Sequence, residues 1–119
     1  EATHRGAHVS EMNKAVQALN EENWLEALGI LYKITRDEPS NAQAHYYLAL
    51  SMFQSTMDLI KSSHGITSSE ARGFRSSMEM VISNLDDAEK HSSRSDRDLR
   101  KGINNLREAA SNVLRQLRG

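Results

Sequence analysis

Residues 44–53 read AHYYLALSMF, with neither Gly nor Pro to interrupt a helix. Tyr46, Tyr47, Leu48, Leu50, Met52 and Phe53 place apolar groups on every side of that helix. A surface helix keeps one face polar, and a helix that is apolar all round is buried all round. The rest of the chain must therefore pack against more than one face of this segment, or leave a face to a partner. No other stretch restricts the architecture as strongly.

The remaining composition agrees with a helical solution. The chain has 119 residues, enough for one domain with a real core. One proline and six glycines leave little room for turns, so an all-α fold is expected. The apolar share of 38% and charged share of 26% fit a soluble globular protein. No apolar run approaches the roughly 18 residues of a membrane span. The absence of cysteine excludes a disulfide scaffold and thiolate metal sites and leaves the compartment open. The chain opens on Glu1, and a processed form or excised fragment is the expectation. The compartment would then be cytoplasmic or, after loss of a signal peptide, periplasmic or secreted.

Charge is divided along the chain. Residues 1–89 hold 7 Lys/Arg against 13 Asp/Glu, a net of −6. Residues 90–119 hold 8 against 3, a net of +5. A basic arm follows an acidic body, and the two attract each other or meet an outside ion.

The pattern predicts five helices. The first runs over about 9–19 with a stripe of Met12, Ala15, Val16 and Leu19. Asn23 caps the second, with Glu26 completing a box-like pair, and Trp24, Ala27, Leu28, Leu31 and Ile34 form its buried face. Pro39 ends it, and Ser40 with Gln43 opens the third helix as a second capping box. Gly65 and the serines before it close the third helix, and Thr67 with Glu70 opens the fourth. The fourth carries Ala71, Phe74, Met78, Val81, Leu85 and Ala88. The fifth, opened by Ser95 with Asp98, carries Leu99, Ile103, Leu106, Ala110, Val113 and Leu117. Both are narrow seams of alternating three- and four-residue steps, joined by a short connection, so the two helices are antiparallel neighbours. Arg115 and Arg118 in the final turn suit the negative end of its dipole.

Ala15 and Ala49 lie 34 residues apart at equivalent places in two helices. Ala27-x3-Leu31 followed by Pro39, with Trp24 in the turn, meets the back half of one pattern; His45-x2-Leu48-Ala49-x2-Met52 meets its front half. Over residues 9–55 the chain resembles the tetratricopeptide repeat family, at about one and a half repeats. Asp58, Lys61 and Gly65, at the turn-aromatic, small and core positions of a continued register, do not suit it. The expected layout is one domain over 1–119, with a repeat-like core at 9–62 and a long helical hairpin at 69–117 as its cap.

The resemblance implies a groove lined by the first helix of each repeat. Here those positions are Met12, Val16 and Leu19, then Gln43, Tyr46, Leu50 and Phe53, while Leu48, Ala49 and Met52 face the core. Met12, Val16 and Tyr47 stand where some family members place Lys and Asn to grip a terminal carboxylate, so recognition would be apolar and aromatic instead. The occupant is the chain's own hairpin, a second copy, or an amphipathic segment of a partner.

Chemistry-bearing motifs are absent: there is no phosphate loop, dinucleotide loop, nucleophile elbow or HExxH. His4, His8 and Glu11 share a helical face at common spacing, and are read as ordinary terminal side chains. His45 is read as a packed, hydrogen-bonded ring, and Asp86, Asp87 and Glu89 as a solvated acidic edge. No catalytic residue, cofactor or metal is expected. The predicted function is non-catalytic protein–protein interaction or scaffolding through the groove. The alternative is nucleic-acid or polyanion binding by Arg94, Arg97, Arg100 and Lys101. Against it, Asp96 and Asp98 interleave and no aromatic follows Phe74.

Overall fold

A computed structural model describes residues 2–118, with side chains from Val9 onward. Five α-helices occur among the described residues: α1 Ala2–Asn20, α2 Trp24–Asp37, α3 Ala42–Ser62, α4 Ser68–His91 and α5 Arg97–Arg118. No strand occurs among the described residues. The fold is all-α, as the composition requires. The first helix reaches back to Ala2, beyond the start of its apolar stripe, because no proline or cap stops it.

Local chemistry sets each boundary, and three caps differ from expectation. Between α1 and α2 the chain reverses through Glu22 in the left-handed region, at φ 60. The Asn23 N–H donates to the Ala18 carbonyl at 2.8 Å and the Glu22 N–H to the Leu19 carbonyl at 3.0 Å. This is the double closure of a Schellman motif, with a glutamate where glycine is favoured. Asn23 precedes α2, but its side chain donates to the Glu26 carboxylate at 2.7 Å and bonds no backbone N–H. Asn41, not Ser40, caps α3: its Oδ1 accepts from the Ala44 N–H at 3.1 Å. Asp96, not Ser95, caps α5, accepting from the Leu99 N–H at 3.1 Å. Asn and Asp cap at least as well as Ser, and each stands one residue closer to its helix. The Thr67–Glu70 box forms as expected, with reciprocal bonds of 3.0 and 3.1 Å. Hydrogen bonding from Thr67, first its backbone N–H and then its side chain, holds the Glu70 carboxyl below its ordinary range.

Packing centres on α3, which touches all four other helices. α2 and α4 flank it on one side, α1 and α5 more lightly on the other. Neither pair is in backbone contact with itself, so α3 is the only helix that joins them. The α3 residues Ala44, Leu48, Ala49 and Met52 are buried, with Ala27, Leu31 and Ile34 from α2 and Met78, Val81 and Leu85 from α4. Ser51, fully buried in α3, donates to the Tyr47 carbonyl one turn back at 2.9 Å. The molecule extends 50 × 28 × 21 Å. Its radius of gyration of 14.9 Å exceeds the roughly 13.5 Å of a compact chain this long, as expected when helices stack in sequence.

α4 and α5 form the antiparallel hairpin. Arg107 reaches Asp86 at 3.0 Å and Glu89 at 3.2 Å, Arg75 donates to the Leu117 carbonyl at 3.2 Å, and Arg118 lies 3.9 Å from Glu79. The acidic edge is solvated as expected, and Asp86 and Glu89 in addition pair with Arg107. These pairs are exposed enough to contribute little individually. The seam itself is apolar: Met78, Val81, Leu85 and Ala88 face Ile103, Leu106 and Ala110. In the last turn Leu114 is buried where Val113 was expected, and Val113 is only partly covered. A straight helix drifts about 20° per heptad from a strict seven-residue repeat, which moves the contact one residue on.

Tyr46 decides how α5 sits on α3. A Cβ built at Gly102 would lie 2.8 Å from the Tyr46 Oη and 3.0 Å from its Cζ. The missing side chain is what admits the ring. By contrast, a Cβ at Gly29 or Gly73 would meet nothing within 4 Å. Gly29→Ala and Gly73→Ala should each stabilise the fold by about 0.5–1 kcal/mol, the helix-propensity gain. Gly102→Ala should destabilise it by about 1–3 kcal/mol, because overpacking outweighs that gain. In a Tyr46→Ala background the sign at Gly102 should reverse. Urea unfolding of the five variants checks this, and a stabilising Gly102→Ala in the wild-type background would refute the Tyr46 contact.

Candidate interaction surfaces

Two long surfaces remain where helices flank α3 without touching each other. The first lies between α1 and α5 and contains the groove positions read from sequence. Leu19 is buried in the core there. Met12, Val16, Leu50 and Phe53 are partly covered, and Gln43 is exposed. Tyr46 is half-buried under α5 against Gly102. Its ring meets that of Tyr47 at 5.5 Å between centroids, tilted by 51°. The chain's own last helix therefore covers the Tyr46 end of this face. Gln43, Tyr46 and Tyr47 border a recess of about 210 Å³ closed by Asp96, Asp98 and Leu99 from the start of α5.

The second surface lies between α2 and α4 and escaped the reading of the sequence. Recesses of about 430, 230 and 560 Å³ follow one another along α2. Leu25 is shared by the first two and Tyr32 by the last two, so they form one trough. In its middle stretch the floor is α3, at Met52, Ser55 and Thr56, and the far wall is α4, at Ser77 and Met80, while α2, the turn before it and α3 bound the two outer recesses. Large apolar side chains stand open here: Leu25 is 75% exposed, Leu59 59%, Met80 45% and Tyr32 44%. A signal existed in α2. Leu25 and Tyr32 lie seven residues apart on a stripe that excludes the buried Ala27, Leu31 and Ile34. Nothing comparable marked Leu59 or Met80.

Of the residues weighed for chemistry, His45 sits inside the packing. His45 is buried, and its Nε2 donates to the Pro39 carbonyl at 2.8 Å. Its Nδ1 lies 3.3 Å from the Asn84 Oδ1, and its ring stacks on His91 at 6.5 Å. The ring thus holds the α2–α3 connection at Pro39 and packs against α4. The His4 and His8 side chains lie outside the described residues. Among the described residues no three His, Asp or Glu side chains group as a metal requires, and no helix is long and apolar enough to cross a membrane.

The basic arm begins in the α4–α5 connection. Arg94, Arg97 and Lys101 are exposed and Arg100 is partly covered. Unlike Arg107, these four make no ion pair within the described residues. They surround the capping Asp96 and the neighbouring Asp98, which reduces the local positive charge.

Burial raises the Tyr46 hydroxyl above its ordinary pKa, and the adjacent Tyr47 adds to the effect. Folding therefore favours the neutral phenol. The associated stability is complete below the unfolded value near 10 and is lost as pH rises through the higher folded value. Absorbance titration should show one of the three tyrosines ionising late, and Tyr46→Phe should remove that late step. The wild type should also lose more stability than Tyr46→Phe above about pH 10. A Tyr46→Phe curve that loses amplitude but keeps the wild-type midpoint and shape would place the ring in solvent.

Comparison of the chain with protein-family models, with curated proteins and with solved structures finds no match.

Proposed function

We propose that the chain is a non-catalytic protein-interaction or scaffold domain of tetratricopeptide-like build. The observation that carries the reading is the run of exposed Leu25, Tyr32, Leu59 and Met80 along one face. Apolar side chains gathered in this way mark a surface that meets another apolar surface. Two features support the repeat-like build. Trp24 and Asp58, 34 residues apart, meet directly, with the indole Nε1 donating to the Asp58 Oδ2 at 3.0 Å. A one-repeat separation places equivalent positions of stacked units beside each other. Each helix also packs on its neighbours in sequence, and every second helix is joined through α3.

The partner is a protein or peptide carrying an amphipathic segment. On the α1/α5 side Met12, Val16, Leu50 and Phe53 offer a contact face. Leu19 and Tyr46 act there through internal packing rather than direct contact. A photo-crosslinking pull-down from the native source should recover a specific protein. Glutamate at Leu25 and Tyr32, or at Val16 and Leu50, should abolish recovery while circular dichroism stays helical. Equal recovery by wild type and both double variants would sink the interaction reading.

A second reading rests on Arg94, Arg97, Arg100 and Lys101, four cations within eight residues that make no ion pair among the described residues. They would hold a polyanion by counterion release. Binding of a labelled oligonucleotide should then weaken steeply between about 50 and 200 mM salt. It should also fall on substitution of Arg97 and Lys101 by Glu. No binding at the lower salt would eliminate it.

A further inference from the structure

We propose that the α2/α4 trough is the docking site for one amphipathic helix of a partner protein, lying antiparallel to α2. The proposal rests on the interaction reading above and specifies its surface and guest.

The trough has the shape of a helix seat. Two helical ridges stand on either side of α3 without backbone contact with each other. A third helix fits such a gap by setting its ridge between theirs. From Leu25 to Arg36 the α2 wall spans about 16 Å, or three turns of a guest helix. An extended guest would bring unpaired N–H and C=O groups to walls whose own backbone bonds are already made within helices. A helical guest satisfies its own.

The walls carry a second mark of close approach. Gly29 lies between Leu25 and Tyr32 on the α2 stripe, borders the trough, and meets no atom of this chain that would explain a missing side chain. Gly73 is equally unhindered, and its spacing from Ser77 and Met80 places it on the same stripe of α4. Each glycine costs helix stability and returns no packing within the chain. Absent side chains on both walls let a guest helix settle deeply against the floor.

Charge fixes the direction. At the α2 N-terminal end the trough is bordered by Glu22 and Asp58. At the other end it is bordered by Lys33 and Arg36, both still substantially exposed although paired with Glu11 and Asp37. A guest with an acidic first turn over Lys33 and Arg36 and a basic last turn over Glu22 and Asp58 is complementary at both ends. The same polarity suits its own dipole. A second copy of this chain is a poorer guest, because α4 and α5, its helices with the cleanest apolar seams, already bury them against each other.

The test uses the full chain, labelled with ¹⁵N, and two synthetic stapled helices of fourteen residues. Both carry Leu at i, i+4, i+7 and i+11; one has Glu in the first turn and Lys in the last, and the other has these reversed. The first peptide should shift amides around Leu25, Gly29, Tyr32, Leu59 and Met80. The reversed peptide should bind at least fivefold more weakly. Gly29→Gln, which has room to fold, should weaken the first peptide at least tenfold. Shifts confined to Met12, Val16, Leu50 and Phe53 would overturn the trough and leave the interaction reading standing. Concentration-dependent dimerisation through the trough without peptide would replace the foreign helix by a second copy. Failure of both peptides to bind at millimolar concentration would overturn the proposal, while the crosslinking pull-down judges the interaction reading separately.

Discussion

The fold depends on the cover given to residues 44–53 of α3, none of which is exposed. Ala44, Leu48, Ala49 and Met52 are buried and Tyr46, Leu50 and Phe53 partly covered, while the exposed residues Gln43, Asp58, Leu59, Lys61 and Ser62 lie towards the helix ends. Of the four other helices, α1 packs on α2 and α4 on α5. These two pairs meet each other only through α3, so removing apolar groups from this one helix would loosen both together. The elongated outline has the same cause: the helices are laid along a central strut rather than gathered around a common centre.

Small residues decide how closely the surrounding helices approach. Ala27 of α2 and Ala49 of α3 are fully buried, and Gly102 receives the Tyr46 ring at the α3–α5 crossing. Polar side chains then lock the ends. His45 donates to the Pro39 carbonyl beside Asn84, and Trp24 reaches Asp58, 34 residues on. These bonds sit where the apolar packing runs out, at the connections between helices. The surfaces left open are those where flanking helices cannot meet, which is why both candidate interaction faces lie over α3.

Much of this was legible in the sequence. The seams of α4 and α5 announced an antiparallel hairpin, and the Thr67–Glu70 box marked the start of α4 to the residue. The caps of α3 and α5 were displaced by one residue, since Ser40 and Ser95 each precede a stronger cap. The burial of Leu114 in place of Val113 also lay beyond a strict seven-residue pattern. The α2/α4 trough was the largest omission. Its Leu25 and Tyr32 belong to the polar-facing side of α2, where single apolar residues are ordinary. Only their meeting with Leu59 and Met80 from two other helices makes a surface.

By itself, the sequence determined five helices, their all-α assembly, the hairpin pairing and the need for cover on more than one face of residues 44–53. These follow from periodicity, caps and the near-absence of proline, all of which act within one helix or between neighbours in the chain. Tertiary structure alone decided which helix covers which face of α3. Tyr46 turned inward because a glycine 56 residues away leaves space for its ring. Leu25 and Met80 stayed outside because α2 and α4 pack on α3 without reaching each other. A side chain's pattern states that it is apolar; whether it becomes core or contact surface depends on the separation of helices that are distant in sequence.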